Sequence, residues 1–161
     1  DMIVPAEVRP LSELAPEAVR INAAKMLEGV TGGRGESGVR LIKKWADDLP
    51  SWKDVHDWKW CARFGYQVIK KRGVGGAGFR WIYRDFLREA ETLSPRLSGL
   101  GLSEKMDRIG ERWSEAADLL KEISERGKPE KALLKKASQM AAGIYGMETE
   151  YYSYVLEKLG K

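Results

Sequence analysis

At 161 residues the chain is long enough to bury one hydrophobic core without disulfides or metals to staple it. Charged residues make up 32% and the hydrophobic set 43%, the balance of a soluble globular domain, and no apolar run approaches the ~20 residues of a membrane span. The net charge of +4 is too mild to demand a nucleic-acid partner.

One cysteine, Cys61, excludes an internal disulfide. With one histidine, His56, it argues against a His/Cys metal site, so no metal or cofactor is expected. The cysteine usage fits a cytoplasmic setting. One Asn and two Gln in a charge-rich chain are compatible with a thermophilic source. The opening "DMIVPAEVRP" lacks the pattern of a signal peptide and starts abruptly on a Pro-punctuated stretch, as the C-terminal part of a longer protein would.

The apolar spacing predicts six helices and no strand of useful length: an all-α bundle forming a single domain over residues 1–161. A first helix is expected over 16–28, with Pro16 in its opening turn and Gly29 as its stop. "TGGRGESG" then reads as a flexible loop. A second helix, 37–48, carries Val39, Leu41, Ile42 and Trp45 inward and ends at Leu49-Pro50. Ser51-x-x-Asp54 reads as a capping box opening a third helix that runs to about Arg72.

On that third helix Val55, Trp58, Ala62, Tyr66 and Ile69 share one face. Trp60, Phe64 and Val68 form a second apolar strip about 140° or more away. Two strips call for neighbours on two sides, which marks this helix as the bundle's centre or as one half of a dimer interface. A fourth helix, 77–93, is expected to bury Phe79, Ile82, Tyr83, Phe86, Ala90 and Leu93. Ser103 is placed to cap a fifth, bearing Met106, Ile109, Trp113, Ala116, Leu120 and Ile123, with Gly127 as its stop. Pro129 opens a long sixth helix with Leu133, Ala137, Met140, Ile144, Tyr151 and Val155 at helical spacing. Gly143 and Gly146 are expected to bend it or to permit close packing.

Gly73-x-Gly75-x-x-Gly78, in "KKRGVGGAGFRWIYRDFL", has the spacing of a dinucleotide-binding turn. Such a turn must follow a strand, whereas the preceding "GYQVIKKR" is helical and basic. The structural reading is favoured: Gly73 ends the third helix, and Gly75, Gly76 and Gly78 allow a tight reversal. A weaker anion reading uses amides at the start of the fourth helix beside Lys70, Lys71 and Arg72. Arg80, Arg84 and Arg88 recur every four residues and share a face, expected to lie opposite the Phe79/Ile82/Phe86 side. A solvated face with local ion pairs ranks first for this stripe, docking of an acidic protein second and nucleic acid third.

Catalysis by the isolated chain is not expected. His56 and Cys61, five residues apart, point about 140° from each other on one helix and so form no dyad there. The carboxylates Asp47, Asp48, Glu111, Glu115, Glu148 and Glu150 show no spacing that singles out an acid/base pair.

Arg72-Gly73, Gly75-Gly76, Phe79-Arg80, Tyr83, Phe86-Leu87 and Glu89, with Trp113 downstream, resemble the helical domain of uncharacterised function in butirosin-biosynthesis-H-like proteins. The resemblance spans most of the chain, and residues 72–89 are its distinctive part. It implies a two-part architecture in which a preceding papain-like domain carries the Cys/His chemistry. It also implies an acyltransferase context, in which an acyl group passes from a carrier protein to an aminoglycoside. None of that catalytic apparatus maps onto this chain, and Cys61 is no candidate for it. The expectation is therefore a non-catalytic accessory or interaction domain, self-associating or bound to an acidic partner such as a carrier protein, for which Arg80, Arg84 and Arg88 are the docking candidates. The alternatives are a share in an acyltransferase or amide-cleaving site completed by the other domain, and weak nucleic-acid or anion binding through the basic face.

Overall fold

A computed structural model of the chain describes residues 9–29, 31–32, 35–72 and 75–160. The elements in order are α1 (Leu11–Glu28), β1 (Thr31–Gly32), β2 (Gly35–Glu36), α2 (Arg40–Asp48), a 3-10 segment (Leu49–Asp54), α3 (Trp58–Lys70), α4 (Arg80–Leu93), α5 (Leu102–Glu125) and α6 (Lys131–Leu159). The fold is an all-α bundle, and its only strands among the described residues are the two-residue antiparallel pair β1–β2 in the glycine-rich loop. Among the described residues no helix is long and apolar enough to cross a membrane.

The two longest helices, α5 and α6, form the spine. Leu102, Met106, Ile109, Trp113, Ala116, Leu120 and Ile123 of α5 are all buried, and so are Leu134, Ala137, Ala141, Ile144, Tyr151, Tyr152 and Val155 of α6. Both sets recur at helical spacing, so each helix presents an apolar seam. α1 and α2 pack on α6, while α3 and α4 pack mainly on α5.

The placement of α3 and α4 decides the geometry of the glycine segment. Arg63, Gly65 and Lys70 of α3 meet Glu125, Leu120 and Asp118 of α5 in descending order. Trp81, Arg84 and Glu91 of α4 continue the descent to Gly110, Asp107 and Leu102. Both short helices therefore run antiparallel to α5, one after the other. Their 13 and 14 residues together slightly exceed the 24 of α5, so at about 1.5 Å per residue the pair spans its whole length. The glycine-rich corner is thus an interruption between helices in series, and not the tight reversal its composition suggests.

Several local expectations are corrected. α1 starts at Leu11 rather than at Pro16, which is buried inside the helix and leaves the Ser12 carbonyl without an intrahelical donor. Ser51 opens no helix: its hydroxyl donates to the Asp48 carbonyl at 2.7 Å, the chain there is 3-10, and α3 begins only at Trp58. Val55 is consequently exposed.

Ser103 does not cap α5 either. The Glu91 carboxylate, arriving from α4, accepts from the Leu102 and Ser103 amides and from the Ser103 hydroxyl. A charged acceptor at a helix start satisfies orphan amides and opposes the positive end of the dipole, so a distant residue takes the role that sequence assigns to a local one. Gly143 and Gly146 face open space on an uninterrupted α6, so neither serves close packing. Gly110 does: a side chain there would collide with the Trp81 indole.

Candidate functional site

The break between α3 and α4 is built from left-handed backbone. Gly75, Gly76 and Gly78 have φ of 69°, 90° and 55°, and Phe79 follows at 70°. Phe79 is the only non-glycine residue with positive φ among the described residues, a conformation costing a residue with a Cβ about 1–2 kcal/mol. The residue is 59% exposed. The Gly78 amide donates to the Ile69 carbonyl at 2.8 Å, which ties the break back to the end of α3. Gly73 lies outside the described residues.

Arg80, the first residue of α4, turns inward. Its Nε donates to Glu148 Oε1 at 2.8 Å, its Nη2 to Oε2 at 3.0 Å and its Nη1 to the Gly78 carbonyl at 2.7 Å. Glu148 is 0% exposed, and its Oε1 also accepts from Trp113 Nε1 at 2.6 Å. The Arg80 guanidinium lies 4.7 Å from the centre of the Trp113 ring, and that ring stacks on Trp45 at 5.8 Å with planes 7° apart. One residue each from α2, α4, α5 and α6 thus meets at the middle of the bundle. A buried carboxylate is tolerable only when its lone pairs are filled in this way.

The other arginines are also engaged. Arg84 donates to Asp107 at 2.7 Å and to Asp85 at 2.9 Å, and the bond to Asp107 is the main reason its pKa is raised. Arg88 lies 3.7 Å from Asp85. The expected orientation of α4 is corrected by about 90° toward the arginines. Phe79, Ile82 and Leu93 are exposed at 59%, 50% and 46%, while Leu87 and Ala90 are buried. Tyr83 and Phe86 are half-buried and stack at 6.0 Å. The acids of α5 and α6 draw Arg80 and Arg84 in, which leaves Phe79 and Ile82 outside while Trp81, Tyr83 and Phe86 still pack against the core.

Beside the break, Asn22, Met26, Phe79, Arg80, Tyr83 and Tyr152 line a cavity of about 270 Å³. The hydroxyls of Tyr83 and Tyr151 are buried without a hydrogen bond of ordinary geometry. Burial raises the pKa of Tyr83, and its polar neighbours Asn22 and Tyr151 offset this only in part. Burial is likewise the main cause that pushes Tyr151 and Tyr152 far up, with the Glu148 carboxylate adding to the rise at Tyr152.

The third helix carries the second feature. Ala62, Tyr66 and Ile69 face α5. About 150° round the helix, Trp60, Phe64 and Val68 are 58%, 42% and 40% exposed. Both strips foreseen in the sequence exist, but only one is covered. Lys70 pairs with Asp118 at 2.6 Å and Arg63 with Glu125 at 3.7 Å, both toward α5. Arg72 sits 4.9 Å over the Phe64 ring and donates to the Gln67 side-chain oxygen at 3.3 Å, and Lys59 lies 5.7 Å over Trp58. Lys59, Lys71 and Arg72 make no ion pair with any described residue.

His56 precedes α3 with a fully exposed side chain, and Cys61 is half-buried within it, so the two do not meet. No group of three or more His, Cys, Asp or Glu among the described residues is arranged to hold a metal. Glu148 is the residue that sequence reasoning passed over as one carboxylate among many. Its signal was its position, four residues after Ile144 in the inward seam of α6, where an acid must have a partner.

A family model described as a domain of unknown function (DUF4872) matches residues 2–155. No curated protein and no solved structure matches the chain.

Proposed function

The chain belongs to the family of the domain of unknown function DUF4872, and we propose that it is a helical accessory domain that works by binding another protein rather than by chemistry of its own. The observation that supports this reading is the outward strip of α3. Trp60, Phe64 and Val68 occupy three consecutive turns, remain exposed, and are contiguous with the rest of a well-packed helix. The resemblance of residues 72–89 to butirosin-biosynthesis-H-like proteins adds a context, in which the domain accompanies a papain-like acyltransferase and leaves the Cys/His chemistry to it.

The alternative, a share in the partner's active site through Arg80, has less support, because that guanidinium is already matched to Glu148. Anion binding by the arginine stripe has less support for the same reason at Arg84. The test is to incubate the isolated chain with an acyl thioester and with a peptide amide. Turnover no faster than buffer is expected. Turnover that disappears in Cys61→Ser would replace the accessory reading with a catalytic one.

A further inference from the structure

The outer face of α3 has a charge pattern that narrows what covers it. From Trp58 to Arg72 the chain carries five cations (Lys59, Arg63, Lys70, Lys71 and Arg72) and no acid. The nearest acids in sequence, Asp54 and Asp57, precede the helix. Around the helix, Lys59, Arg63 and Lys70 lie along one flank of the Trp60–Phe64–Val68 strip. Arg72 lies on the other flank, and Lys71 closes the strip at its C-terminal end. Lys70 and Arg63 are neutralised by α5, which leaves Lys59, Lys71 and Arg72 as the unpaired cations a visitor would meet, with Glu125, the partner of Arg63, beside Trp60.

A second copy of the same helix is a poor match. Antiparallel packing about a two-fold axis at Phe64 would set only one carboxylate per protomer, Asp57 near Lys71 of the other copy, against the three cations Lys59, Lys71 and Arg72 that each copy presents. The strip itself is about 12 Å long, eight steps of about 1.5 Å from Trp60 to Val68, the footprint of a partner helix bearing apolar residues on successive turns. Resting on the reading that this domain binds protein, we propose that the outer face of α3 docks an acidic amphipathic helix. Its apolar stripe covers Trp60, Phe64 and Val68, and its flanking carboxylates reach Lys59, Lys71 and Arg72. Partial desolvation of those charges at the rim sets orientation and excludes basic partners more than it sets affinity.

The test is a displayed library of helices about 18 residues long, with a fixed leucine stripe and polar positions drawn from Glu, Gln and Lys. Selection against the whole chain is expected to enrich Glu-rich members. A recovered Glu-rich peptide should then bind at least about tenfold more weakly to Trp60→Ala, and should weaken further as salt rises. Lys59→Glu/Lys71→Glu/Arg72→Glu should shift enrichment toward Lys-rich members. All four substitutions are at exposed positions, and retained helical circular dichroism verifies their fold.

Enrichment without charge bias, enrichment of Lys-rich members, or enrichment indifferent to Trp60→Ala overturns the proposal. So does selection that enriches nothing. A concentration-dependent dimer abolished by Trp60→Ala would assign the strip to a second copy: it overturns the acidic helix and keeps the protein-binding reading. Thioester turnover by the isolated chain that is lost in Cys61→Ser overturns the non-catalytic reading and leaves the outcome of the helix selection as it stands.

Discussion

The Arg80 guanidinium and the Glu148 carboxylate meet in a parallel two-point pairing, Nε to Oε1 and Nη2 to Oε2, across 68 residues of sequence. The pairing fixes the start of α4 to the middle of α6, so the left-handed break is held from both sides. Removing Arg80 leaves a carboxylate buried with only the Trp113 indole for a partner. Arg80→Ala is therefore expected to cost about 3–5 kcal/mol in urea unfolding. Arg80→Met/Glu148→Leu should lose less than the sum of its single changes, because it removes both charges together. Additive losses would show that the two groups are energetically independent.

Gly110 gives a separate handle on the same region. The α4–α5 approach places the Trp81 indole where a Cβ on residue 110 would stand. Both belong to packed helices, so neither side yields freely. Gly110→Ala is expected to destabilise by about 1–3 kcal/mol, despite the helix-propensity gain of about 1 kcal/mol that alanine brings. Trp81→Phe in that background should recover part of the loss in thermal melts. A neutral or stabilising Gly110→Ala would mean that α4 stands farther from α5.

The buried tyrosines set an alkaline limit. Tyr83, Tyr151 and Tyr152 have folded pKa values above the usual 10, chiefly through burial. Above pH 10 the unfolded chain releases these protons while the folded chain retains them, so stability is full below that pH and falls as pH rises. Each such tyrosine contributes a slope of about 1.4 kcal/mol per pH unit. Absorbance titration at the phenolate band should show Tyr83, Tyr151 and Tyr152 ionising only together with loss of helical signal. Smooth ionisation of all six tyrosines in a chain that stays helical would contradict this.

The parts of the fold that could be read from sequence are those set by one helix's own pattern. The seams of α5 and α6, and both strips of α3, follow from spacing alone because burial tracks the apolar face. What could not be read depends on partners distant in the chain. α4 has an aromatic side and an arginine side, and composition favours burying the aromatics. The face was rotated toward the arginines by Glu148 and Asp107, which reach Arg80 and Arg84 from other helices. The cap on α5 failed in the same way, since Glu91 supplies it from α4 and Ser103 is a recipient. The second strip of α3 was visible, but the sequence does not say that no helix of the same chain would cover it.

The near-parallel stack of Trp45 on Trp113 has a spectroscopic consequence. Two indoles held this close and this flat couple their electronic transitions, so the centre of the bundle carries its own chiroptical signature. That signal belongs to the interior and is independent of the indole at position 60, whose emission reports on the solvent-facing side. Loosening of the core can thus be followed by that ellipticity, while occupation of the outer strip is read from the emission difference between the chain and Trp60→Phe, since six indoles emit together.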